Sequence, residues 1–397
     1  MTIHDRNKTT NFYAFILIAA AVLLFPYHAR AEIVSSSQYG YALDLPASFS
    51  LADKQSDGKA FLFRHTILPV QLAVKIYDNG EYGTAADALA AVYGKLNAKG
   101  DVTPVTWRNA DGVLSTFTLQ LPGDDQVYKG WSFAVLMPRN KAALVLLCYA
   151  PEEKENDCEQ FILSVLDSLM IDRGSFFEPG PVTAFAFPGK GDEQITIQIG
   201  DRKIPTVIDA EDSEAENFVI EREYAVLTLY ANRTDWKEAW QRYYRMIYRD
   251  SYARLKRPAF DLYNALQQET EKKSGEDPFP AVTEQLLAWT QNFPFVRDSN
   301  TADFTPLTDV LQGKPSDCDS RSLLLCTLLA INGARTELFI SHEYSHAVFG
   351  IASDRPGAKI TTDGVSFLLG ETTARVALGR IAQNMNDTAK WIPVKLY

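Results

Sequence analysis

The stretch "SDCDSRSLLLCTLLAINGARTELFISHEYSHAVFGI", Ser316 to Ile351, holds two of the four cysteines and two of the five histidines in the chain. Ser316 and Asp319 have the spacing of a capping box, which opens a helix. Leu323 to Ile331 is apolar on nearly every side, so that helix is expected to be central and buried. Asn332-Gly333 supplies a left-handed stop. Cys318 falls in the first turn, where unpaired N–H groups and the helix dipole favour negative charge and a lowered thiol pKa. Cys326, two turns deeper, reads as a small core hydrophobe. "RTELFIS" and "HAVFGIA" read as strands, and "KITT", Asp363-Gly364 and "VSFLLG" read as a hairpin with the Asp-Gly turn of type I′ geometry. One strand starts at His346 and another ends just before Glu371. Thiol, imidazole base and orienting carboxylate are what a cysteine nucleophile needs. Asp354 and Asp363 are the fallback carboxylates.

Two other readings compete. His342-Glu343-Tyr344-Ser345-His346 spells H-E-x-x-H, a zinc metalloprotease motif that works only when both histidines share one helical face, with Glu371 as a third ligand. The flanking strand formers argue against that helix. In the blander reading, Cys318 is a core thiol and His346 a strand-end histidine. His65, in "FLFRHTILP", reads as structural or surface.

The ordered pieces "GKPSDCDSRSLLLCTLLAINGARTELFI", "SHAVFGI" and "SFLLGETT" resemble the transglutaminase-like superfamily, in particular its bacterial cysteine-proteinase branch, over roughly residues 280–375. "WTQNFPFVRDS" is similar to the segment that leads into that core. The resemblance implies a papain-like domain with a central helix packed on an antiparallel sheet. It places Cys318 as nucleophile and His346 as base, with Glu371 where the family has Asp. Gln291 becomes a candidate oxyanion donor, because its amide can meet developing negative charge. The implied activity is hydrolysis of a peptide or amide in an envelope protein through a thioester, with no cofactor and no metal. The alternative is an inactive transglutaminase-like binding or scaffold protein of the envelope.

The remaining chain positions and exports this segment. Arg6 and Lys8 precede a 14-residue apolar run, Phe12–Phe25, and Ala29-Arg30-Ala31 has the small-x-small form of a cleavage site. Residues 1–31 therefore read as a signal peptide, giving a periplasmic or secreted protein from Glu32 with no integral membrane span. Without that leader there are 36 Lys and Arg against 49 Asp and Glu, a net −13 that disfavours a nucleic-acid partner. Residues 32–172 read as strands around a Thr84-capped helix and a closing helix, an order that resembles the PsbP-like α/β fold. Residues 173–230 read as a β-rich connecting segment, with "VTAFAF", "FVIERE" and "AVLTLY" among its strands, and residues 231–397 as the transglutaminase-like domain. The fold class expected is thus α+β. Trp236, Trp240, Tyr244, Tyr248 and Tyr252 recur every fourth residue, an amphipathic helix with its aromatics turned inward rather than an RNA-binding face. Cys148 and Cys158 can close a small disulfide loop, or "LVLLCYA" can be a core strand holding a buried thiol.

Overall fold

The computed structural model describes residues 33–78, 80–139, 141–274, 279–297 and 302–397, so the leader expected at residues 1–31 lies outside the described residues. Among the described residues no helix is long and apolar enough to cross a membrane. The chain is mixed α+β with antiparallel sheets, and it divides into two compact units between Ile171 and Asp172.

The first unit runs β1 (Ile33–Ser36), β2 (Tyr41–Asp44), β3 (Phe49–Lys54), β4 (Ala60–His65), β5 (Gln71–Tyr77), α1 (Ala85–Leu96), β6 (Lys99–Trp107), β7 (Ala110–Gln120), β8 (Val127–Leu136), β9 (Ala143–Pro151), α2 (Glu155–Asp167) and β10 (Leu169–Met170). β3 to β9 form one antiparallel sheet in the order β3-β4-β5-β9-β8-β7-β6, and β1, β2 and β10 form a small second one. Strand alternation sends Val145, Leu147 and Tyr149 to the face that α1 covers. On the other face Phe161 of α2 meets Phe49 and His65. Thr84 caps α1 by accepting the Asp87 N–H, and Asn97 at φ 52° ends it, three residues before the expected Gly100. His65 is structural: its Nε2 bonds the Ala47 carbonyl and its Nδ1 accepts from Leu68 N–H, both at 3.0 Å. Cys148 in β9 and Cys158 in α2 are free, buried thiols, so the core-strand reading holds and the disulfide does not form.

The second unit runs α3 (Pro181–Ala186), β11 (Asp192–Ile199), β12 (Arg202–Asp209), α4 (Asp212–Thr228), α5 (Trp236–Arg254), α6 (Lys256–Ser274), α7 (Phe279–Thr290), α8 (Leu307–Leu311), α9 (Cys318–Ile331), β13 (Thr336–Ser341), β14 (His346–Ala352), β15 (Lys359–Thr362), β16 (Val365–Gly370) and β17 (Ile392–Val394). The last five strands form one antiparallel sheet, β15-β16-β14-β13-β17. α9 packs on β13 and β14 and is buried on nearly every side, as its uniform apolarity requires. Asp363 (φ 48°) and Gly364 (φ 76°) make the expected turn between β15 and β16. At the far end of β16, Gly370 lies under the Phe349 ring, where an added Cβ would sit 2.0 Å from the nearest ring atom.

The expected β-rich segment is corrected. Within residues 173–230 only β11 and β12 are strands; "VTAFAF" begins α3, and "FVIERE" and "AVLTLY" belong to α4. Pro181 stands at N1 of α3, which favours a helix start. In α4 the buried residues Ala215, Val219, Glu223 and Val226 fall at helical spacing, so packing decides against the local β-branched preference. The aromatic stripe of α5 does turn inward, and two of its arginines follow: Arg242 and Arg249 are 2% and 1% exposed. Asp235 occupies the N-cap of α5, but its side chain makes no capping bond.

Arg242 explains why α3, α4 and α5 stay together. Glu223 accepts from Arg242 Nη1 at 2.6 Å and from Arg222 Nε at 2.9 Å, and Arg222 also reaches Thr183 of α3. A Glu223→Ala variant removes the carboxylate that two buried guanidinium groups share, so unfolding in urea is expected to show a loss of about 3–5 kcal/mol.

Candidate active site

The first turn of α9 is built by Asp317, not by Ser316 as the capping-box spacing suggested. Asp317 is the N-cap, and its Oδ1 accepts from Ser320 N–H at 3.0 Å and from Ser320 Oγ at 2.6 Å. Ser316 is held in extended backbone instead: its N–H donates to the Pro294 carbonyl and its own carbonyl accepts from Val296. Arg321, one turn into α9, fixes this arrangement. Its guanidinium donates to Ser316 Oγ and to the carbonyls of Ser316, Phe293, Pro294 and Thr372.

Cys318 is therefore the first residue of α9, and it is 2% exposed. Its thiol donates to Asp319 Oδ1 at 3.1 Å, and the Ala347 N–H of β14 bonds the sulfur. Burial, then the Asp319 and Asp317 charges, push this thiol far above its ordinary range, against the lowering that a helix start suggested. Magnitudes explain the outcome. A helix dipole contributes roughly 0.3–1 kcal/mol at its end. One carboxylate about 4 Å away contributes about 4 kcal/mol at an effective dielectric near 20. Two such groups and desolvation overwhelm the dipole. Asp319 is held in place through its other oxygen by the Tyr244 hydroxyl.

The partners expected of the thiol lie on the adjoining sheet. His346 opens β14, opposite Ser341, and its Nε2 meets Glu371 Oε2 at 2.6 Å. Glu371 Oε1 accepts from the N–H and hydroxyl of Thr373 at 2.7 and 2.6 Å. Burial pushes the Glu371 carboxyl up, but the His346 and Thr373 hydrogen bonds outweigh it and hold the group below its ordinary range. An ionised Glu371 fixes the imidazole tautomer with Nε2 protonated, leaving Nδ1 as the basic nitrogen. Trp391 lies edge-on to His346 at 6.4 Å between ring centroids, anchored by its indole N–H on the Met385 carbonyl. A cleft of about 310 Å³ runs alongside, lined by Trp240, Tyr243, Tyr244, Arg297, Asp319 and His346 among others.

Several sequence candidates are placed elsewhere. Gln291 is not available as an oxyanion donor, because both hydrogens of its amide are spent on the carbonyls of Glu371 (2.8 Å) and Val376 (2.9 Å). It is a positioning residue for Glu371. Asp354 is exposed in the loop after β14, and Asp363 pairs with Lys395 at the hairpin turn. His342 to Ser345 form the turn between β13 and β14, with Ser345 at φ 47°, so the helix that H-E-x-x-H requires is not formed. Asp317, Cys318 and Asp319 bring potential ligand atoms within 4.8 Å of one another, yet each already has a hydrogen-bond partner. Sequence reasoning missed Arg321, Thr373, Trp391, Tyr244 and the role of Asp319. The readable signals were an arginine three residues after the cysteine and a threonine two residues after the glutamate.

Two outcomes follow from the carboxylates around the sulfur. Asp319→Asn removes one charge and is expected to raise the iodoacetamide reaction rate of Cys318 at pH 8 on the order of tenfold or more, measured by mass spectrometry of the labelled peptide. Asp317 is pushed up to about 7 by burial and by Asp319. A carboxyl whose folded pKa is raised gives stability that is full at low pH and lost as pH rises through the folded value. Melting temperature is therefore expected to fall from about pH 4 to pH 7 more steeply in the natural protein than in Asp317→Asn, which keeps the cap.

No family model matches the chain, and no curated protein matches it. Among solved structures its N-terminal part is weakly similar to the cyanobacterial PsbP of Synechocystis, at 14% identity and a TM-score of 0.30 over 39% of this chain and 98% of that one. LpqN of Mycobacterium tuberculosis, described as involved in cell envelope biogenesis, gives 14% identity and 0.27 over 36% and 90%. A Bacteroides thetaiotaomicron structure gives 10% identity and 0.25 over 82% and 87%. Likenesses at this level leave the reading of the site to its own geometry.

Proposed function

We propose that the second unit is a transglutaminase-like, papain-like domain acting as an exported cysteine hydrolase on a peptide or amide bond of an envelope protein. The observation that carries this reading is the 2.6 Å His346–Glu371 pair on the sheet that also bonds the Cys318 sulfur. In this reading the Cys318 sulfur attacks the scissile carbonyl as its proton passes to His346 Nδ1. The tetrahedral oxyanion collapses, the C–N bond breaks, and the amine leaves with the proton from His346. Water then attacks the thioester, His346 takes a proton from it, and the acid and the free thiol are released. With Gln291 spent elsewhere and the Ser320 N–H held by Asp317, the oxyanion donors in this proposal are the backbone N–H groups of Cys318 and Asp319 at the start of α9.

The raised thiol pKa means that the nucleophile is made by proton transfer during attack rather than stored as thiolate. The same feature, with a sulfur only 2% exposed, is what favours the second reading, a catalytically inactive scaffold.

The test is to incubate the exported protein with an envelope extract and sequence the new N-termini. Cleavage products should appear with the natural chain and vanish with Cys318→Ala and His346→Ala, while Glu371→Gln should slow them by on the order of 100-fold. Hydroxylamine should capture the acyl group from Cys318 as a hydroxamate. Identical products from folded Cys318→Ala would leave only the scaffold.

A further inference from the structure

The first unit holds a cavity of about 610 Å³ that the proposed chemistry does not use. It lies on the α1 face of the seven-stranded sheet, toward β4 and β5, and Leu62, Ala73, Leu96, Leu119, Leu147 and Tyr149 supply an apolar lining. That volume is in the range of small-molecule sites, roughly 300–1,000 Å³.

Lys75 is the unusual member of its wall. A lysine beside apolar surface ordinarily carries its head out to water or to a carboxylate. Lys75 Nζ instead donates to Gln55 Oε1 at 3.2 Å and stands 5.3 Å over the Tyr77 ring, and no carboxylate pairs with it among the described residues. Burial is the largest influence on this group and lowers its pKa, while Asp57 and Glu81 act in the opposite sense without forming an ion pair with it. Lys95 stands 5.4 Å over the same ring and adds to the positive field. Tyr77 also lines the cavity, is 4% exposed, and its buried hydroxyl has no hydrogen-bond partner among the described residues. The carboxylates in the lining are otherwise engaged. Asp53 accepts from Lys54 N–H, and Asp124 accepts from Tyr128 and from Gln126 N–H.

We infer that this cavity binds an anionic amphiphile, a single aliphatic chain ending in a carboxylate or phosphate, with its head at Lys75 and Tyr77 and its chain over the apolar lining. The head supplies a direct ionic partner for Lys75, and the chain covers the partly exposed Leu62, Ala73 and Leu96. The site is independent of Cys318 and stands whether or not the second unit is an enzyme.

The experiment is displacement of a fluorescent fatty-acid probe from the full exported chain. The competitors are palmitate, dodecyl phosphate, hexadecanol and hexadecyltrimethylammonium. One site per chain is expected, with an anion displacing the probe at lower concentration than the alcohol or the cation; the better of the two anions identifies the head group. Lys75→Gln should weaken that anion about tenfold, the size of one charge-assisted hydrogen bond, and leave hexadecanol unchanged. Ala73→Trp, which fills the cavity, should remove all binding. Equal displacement by the cation, an unchanged anion affinity in Lys75→Gln, or no saturable binding by a chain with intact circular dichroism would overturn the site.

Discussion

The buried guanidinium of Arg321 decides where the reactive end of α9 can be. It is 1% exposed, and all of its hydrogen bonds go to carbonyls or to the Ser316 hydroxyl, none to a carboxylate. Such a group makes several directional contacts at once, so it fixes segments that are far apart in sequence. Here it ties the strand-like stretch at Phe293–Pro294 and the peptide after Glu371 to the first turn of the central helix. Ser316 cannot then turn to cap the helix, Asp317 takes that place, and Cys318 becomes the first helical residue. The position of the sulfur relative to β14 follows from this one side chain.

The environment of that sulfur sets two demands against each other. The Asp317 carboxyl and the Asp319 carboxyl organise the helix start, one as cap and one as acceptor from Tyr244 and from the thiol. The same charges disfavour a thiolate. On the adjoining sheet, Glu371 is held ionised by three donors and keeps the imidazole in one tautomer. In the mechanism proposed above, a thiol that keeps its proton requires proton transfer and bond formation to occur together.

Much of this was legible in the sequence where local signals and tertiary packing agree. The buried central helix, its Asn-Gly stop, the Asp-Gly hairpin and the strand starting at His346 all carry patterns that packing reinforces. What was missed has a common cause. β3 and β6, the two edges of the seven-stranded sheet, carried no clear strand signal, because edge strands tolerate charge, glycine and proline; β6 even contains Pro104. α4 was read as strands because Val219, Ile220 and Val226 are β-branched, while its buried glutamates and Arg222 have partners that only the folded chain supplies. At the candidate site, order and spacing singled out Cys318, His346 and Glu371, of which the structure pairs the last two. The true cap, the loss of Gln291 as a donor, and the shielding by Trp391 depend on contacts between segments scores of residues apart, which no local pattern encodes.

The placement of Trp391 makes the candidate site depend on β17. β13, β14 and β16 can bring His346 to Glu371 without it, but the indole arrives only when β17 pairs with β13. Without that pairing the imidazole–carboxylate pair would be more open to water, where its attraction is weak. Pairing at one edge of the sheet thereby sets how dry a hydrogen bond two strands away is kept.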